Sequence, residues 1–112
     1  MKSAIFAILG MSLITSLSFA KESAPYIWWG HATIKMSVEA CLQRSELALE
    51  TTGFSVNPIN EDHNFVYAYK DTVRAAIQCL NNSDKSFVYL SVAGNDNSIL
   101  EKYRNELVRK IR

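Results

Sequence analysis

Phe65-Val66-Tyr67-Ala68-Tyr69-Lys70, Thr72-Val73-Arg74-Ala75-Ala76-Ile77-Gln78-Cys79-Leu80 and Ser86-Phe87-Val88-Tyr89-Leu90-Ser91-Val92-Ala93 are three runs of alternating character, separated by Lys70-Asp71 and Asn81–Lys85. Side chains alternate between the two faces of a β-strand, so period-two runs joined by short polar turns predict consecutive antiparallel strands. With the first turn centred on Lys70-Asp71, Ala68 is expected opposite Val73 and Val66 opposite Ala75. With the second centred in Asn82–Lys85, Cys79 falls opposite Val88 and Ile77 opposite Leu90. One face then collects Val66, Ala68, Val73, Ala75, Ile77, Cys79, Val88, Leu90 and Val92. It is apolar throughout and is the expected core. The other face collects Phe65, Tyr67, Tyr69, Arg74, Ala76, Gln78, Leu80, Phe87, Tyr89 and Ser91. A solvated antiparallel face ordinarily reads polar, and this one reads aromatic.

Upstream, Tyr26–Lys35 is rich in aromatic and β-branched residues and predicts a further strand, with Gly30 marking a bulge or bend. Ser37 suits a helix N-cap, and Val38, Cys41, Leu42, Ser45, Ala48 and Leu49 recur at three- and four-residue spacing. Gly53 is placed to end that helix in the left-handed conformation; Leu47 falls on its outer side. Phe54–Val56 predicts a short strand and Asn60–Asn64 a loop. Downstream, Ser98 and Glu101 match a capping box, and Leu100, Tyr103, Leu107 and Ile111 form the stripe of a second helix. The order β-α-β-β-β-β-α predicts an α+β two-layer domain, an antiparallel meander with both helices on one face.

Cys41 lies on the apolar stripe of the first helix and Cys79 on the apolar sheet face, so two independent periodicities bring both sulfurs to the same layer boundary. A structural disulfide is expected. Two cysteines without CxxC spacing make a poor metal site.

The first twenty residues have the three parts of a secretory leader: basic Met1-Lys2, an apolar run from Ala4 to about Leu17, and Ser18-Phe19-Ala20 before Lys21. The expected organisation is a cleaved leader over 1–20 and one domain over 21–112, exported to the periplasm or secreted, with no membrane span left after cleavage. Lys2 aside, the side chains balance at eleven basic and eleven acidic, which gives no field to attract nucleic acid. Asn81-Asn82-Ser83 matches a glycosylation acceptor in a predicted hairpin loop.

No catalytic motif is present: no Gly-x-Ser-x-Gly elbow, P-loop, dinucleotide fingerprint or HExxH. Glu61, Asp62 and His63 form an acid–imidazole run, read as a solvated turn; with His31 they leave a metal site or acid chemistry as a minor alternative. Neither a cofactor nor a metal is implied. Contiguous exposed aromatic area with an Arg is what interaction surfaces are enriched in. The leading expectation is a non-enzymatic binding module that engages a protein partner, or a second copy, through Phe65, Tyr67, Tyr69, Arg74, Gln78, Phe87 and Tyr89. An inhibitor- or immunity-like role fits such a domain. Internal covering of the rings by Tyr26–Trp29 or Asn57–Asn64 stands against it. The functional alternative is a small-ligand site in a cleft near Trp28 and Trp29.

Overall fold

A computed structural model describes residues 24–112. The expected leader, its cleavage point and the start of the mature chain lie outside the described residues. Chain order is β1 (Tyr26–Ile34), α1 (Val38–Thr51), β2 (Ser55–Val56), β3 (Phe65–Lys70), β4 (Val73–Asn82), β5 (Lys85–Gly94) and α2 (Asn97–Ile111). The strands form one antiparallel sheet in the order β1-β5-β4-β3-β2. This is the expected β-α-β-β-β-β-α domain. β2 to β5 form the meander, and β1 joins its far side against β5. Since β1 and β2 occupy opposite edges, α1 carries the chain across the whole sheet.

α1 begins where Ser37 Oγ accepts a hydrogen bond from the Ala40 amide at 3.1 Å. It buries Cys41, Leu42, Ser45, Ala48 and Leu49, the residues its spacing selects. It ends at Gly53, whose φ of +96° no β-carbon opposes. The core lies between the helices and Val66, Ala68, Ala75, Ile77, Val88, Leu90 and Val92. Cys41 and Cys79 are bonded there, both fully buried, with their Cα atoms 6.2 Å apart. Ser45 Oγ, buried beside them, donates to the Cys41 carbonyl at 2.8 Å, so this polar group is not left unsatisfied.

Four local expectations are corrected. Ala68 pairs with Ala75 and Val66 with Ile77, because the first hairpin turns on Asp71-Thr72. Asp71 takes a left-handed φ of 53°, which Asp tolerates better than most residues. The slip is two residues, so every side chain keeps its face. Cys79 pairs with Val88 and Ile77 with Leu90, as expected. β4 runs on to Asn82, so Asn81 pairs with Ser86 at a strand end and is not in a loop. Gly30 makes no bulge: β1 pairs with β5 without interruption from Tyr26 to Ile34. What it provides is room, since a β-carbon there would stand 2.6 Å from Val108 Cγ2 of α2.

The fourth correction concerns α2. Its N-cap is Asp96, whose carboxylate accepts from the Ser98 and Ile99 amides at 3.1 and 3.3 Å. Asp at this position outcompetes the Ser98 box because its charge also suits the positive end of the helix. The Ser98 hydroxyl and the Ile99 amide hold the Asp96 carboxyl below its ordinary range. A lowered folded value means stability present above about pH 3.9 and lost as pH falls through the folded value. Asp96→Asn keeps an acceptor but no titration. The stability difference between wild type and this variant, from urea midpoints, is therefore expected to shrink on acidification through that window; a constant difference would show that the charge has no part.

Candidate functional site: the uncovered sheet face

The alternation that sends Val66, Ile77 and Leu90 to the helices sends the intervening side chains the other way. Register places them in rows across the sheet: Tyr69, Arg74, Ala93, Ile27; then Tyr67, Ala76, Ser91, Trp29; then Phe65, Gln78, Tyr89, His31. Leu80, Phe87 and Thr33 follow. All seven residues singled out from the sequence therefore share one face. Among the described residues both helices bury their stripes on the opposite side. Trp29 is 60 % exposed, Tyr69 45 %, Tyr89 40 % and Tyr67 39 %, so these rings meet solvent. Tyr26–Trp29 does not fold over the rings. It belongs to β1, an edge strand of the same sheet.

The rings support one another. Trp29 and Tyr89 lie 5.8 Å apart between centroids, Phe87 and Tyr89 6.0 Å, and His31 stacks on Phe87 at 6.1 Å. The Arg74 guanidinium lies 5.6 Å from the centre of Tyr69 and donates to the Asp71 and Val73 carbonyls. Gln78 Nε2 donates to the His63 carbonyl at 3.1 Å, tying the loop before β3 to the border of the face. Both polar side chains are thus held in place by backbone acceptors. Small Ala76 and Ser91 floor a depression of about 240 Å³ between Phe65, Gln78 and Tyr89. No strand position on this face is Asp or Glu, whereas Arg74, Lys85 and His31 stand on it. Its chemistry is apolar contact with a slight cationic bias.

Sequence reasoning did not place Trp29, Ile27 and His31 here. Their parity depends on which strand β1 joins, and no hairpin connects β1 to β5. The exposed aromatic on an uncommitted strand was the available signal. Trp28 turns to the opposite side, where its Nε1 donates to Asn97 Oδ1 at 2.7 Å and Arg104 lies 5.2 Å from its ring. The two tryptophans do not line one cleft; a ligand on the outer face meets Trp29 alone. Glu61, Asp62 and His63 are exposed in their loop, where the His63 amide donates to Asn60 Oδ1. Among the described residues no three His, Cys, Asp or Glu side chains gather as metal ligands would. No helix among them is long and apolar enough to cross a membrane.

No family model and no curated protein matches this chain. Among solved structures, the crystal structure of CalU16 from Micromonospora echinospora is similar at a TM-score of 0.47 and 9 % identity, over 80 % of this chain and 87 % of that one.

Proposed function

We propose that this chain is a small exported, disulfide-stapled, non-enzymatic binding module that engages a protein partner, or a second copy, through its uncovered sheet face. The observation that carries the reading is the exposure of Trp29, Tyr67, Tyr69 and Tyr89 together on one sheet face with no helix over them among the described residues. Aromatic residues with an Arg among them are the side chains that dominate protein interfaces. The depression at Ala76 and Ser91 is about 240 Å³, under the roughly 300 Å³ at which small-molecule pockets begin, which favours a broad macromolecular contact over a ligand cavity. The buried Cys41–Cys79 bond is consistent with an oxidising compartment, and the leader-like N-terminus supports export to the periplasm or beyond. An inhibitor- or immunity-like role suits this architecture.

Tyr67→Ser/Tyr89→Ser tests it. The purified domain and the variant are compared by light scattering over a concentration series and by capture from the native compartment. At least a tenfold loss of self-association, or of the captured protein, is expected, as truncating a hot-spot aromatic costs about 2 kcal/mol or more. An equal response from a variant with an unchanged unfolding midpoint removes the platform. Loss of some screened activity on His63→Ala would instead favour an enzyme.

A further inference from the structure

Free sheet edges are ordinarily kept short, charged or interrupted by proline, because their unpaired backbone groups accept other chains. At one edge of this sheet β2 is two residues long. At the other, β1 runs for nine residues with no proline, lysine, arginine or carboxylate, and Tyr26, Ile27 and Trp29 are exposed on it. Beside this edge, α2 surrounds a concavity of about 330 Å³ with Arg104, Arg109 and Arg112. Arg104, which lines it, packs over Gly30, where a β-carbon would stand 3.2 Å from its Cδ. The ion pair found among the described residues, Lys110 with Glu106, uses none of these arginines. Arg104 is itself engaged with this edge: its Nη1 donates to the Trp29 carbonyl at 3.2 Å and its guanidinium lies over the Trp28 ring, while its buried Nε has no hydrogen-bond partner among the described residues.

We infer that the β1 edge accepts an extended acidic segment of another protein as an added strand, its carboxylates meeting Arg109 and Arg112 and its main chain taking over the Trp29 carbonyl from Arg104. Main-chain pairing supplies the attachment and alternate side chains the selectivity, as in other strand-addition complexes. Charge complementarity selects this occupant over a second copy. Antiparallel pairing of two β1 strands keeps both helix layers on one side, which brings two sets of like-charged arginines to one seam. This surface is separate from the aromatic face and does not depend on the reading given to it.

The probe is an alternating Val–Glu peptide of about eight residues, with the Val–Lys peptide as control. Hydrogen exchange of the full domain is expected to show new protection at β1 amides with the first peptide. Its affinity should exceed that of the control at least tenfold and fall about tenfold in Arg109→Gln/Arg112→Gln, as two lost ion pairs allow. Tyr67→Ser/Tyr89→Ser should bind it like wild type, which separates this site from the aromatic face. Absence of β1 protection, equal affinity for the two peptides, or indifference to the arginine substitutions overturns the inference. So does concentration-dependent protection of β1 without peptide, which would make a second copy the occupant.

Discussion

Cys41→Ala/Cys79→Ala is expected to unfold with a free energy about 4 kcal/mol below wild type, the largest effect of any substitution described. The bond closes a loop between residues separated by 38 in sequence, and in the chain-entropy account its loss frees that loop in the unfolded state. The bridge joins α1 to β4, the middle strand of the sheet, so it holds the helix layer at its centre. Small domains have about 5–15 kcal/mol in total, and this change removes a large share of it. Urea unfolding of the variant, and of wild type reduced under denaturing conditions and refolded with the reductant retained, checks the expectation. The two should coincide within about 1 kcal/mol. A loss below that size in both would mean that the core alone holds the layers together.

The second large effect is at Gly30. Alanine there would set its methyl group 2.6 Å from Val108 Cγ2, inside any tolerable contact, and valine would add to the overlap. Val108 cannot easily turn away, because a β-branched side chain in a helix has one strongly preferred rotamer. Leu90 Cγ, 3.3 Å from the same point, closes the opposite side. Overpacking of this kind costs about 1–3 kcal/mol, which exceeds the roughly 0.5–1 kcal/mol that replacing glycine in a strand returns. Gly30→Ala is therefore expected to destabilise by about 1–2 kcal/mol. In Gly30→Ala/Val108→Ala most of that loss should vanish, giving a coupling of about 1 kcal/mol or more in a double-mutant cycle. Simple additivity of the two changes would show that the helix moves aside without cost.

How far the chain can be read follows from the range of each signal. Alternation in β3 to β5 assigned every face correctly, and the burial of Val66, Ile77, Cys79 and Leu90 confirms it. Face assignment survived a misplaced turn, since a slip of two residues preserves parity. The disulfide was legible because helix and strand periods pointed separately to the same boundary. Local signals had less reach where two competed: Asp96 and Ser98 each suit a cap, and only the packed position of α2 decides between them. Gly30 was opaque for another reason. A missing side chain looks the same whether the strand bends or a helix approaches, and the approaching atom lies 78 residues away in Val108. The aromatic face was visible in part, and Trp29 joined it only through the β1–β5 pairing.

That pairing has a consequence for the order of assembly. The first described strand finds its sheet neighbour in the last one, Tyr26 against Gly94, so more than half of the polypeptide intervenes. A chain delivered from its N-terminus holds Tyr26–Ile34 without a lateral neighbour until the final hairpin arrives. Local hairpins close readily and early, whereas a contact of this span must first overcome the entropy of a long loop. Maturation should thus finish at β1, leaving the aromatic N-terminal segment available to whatever meets the nascent protein first.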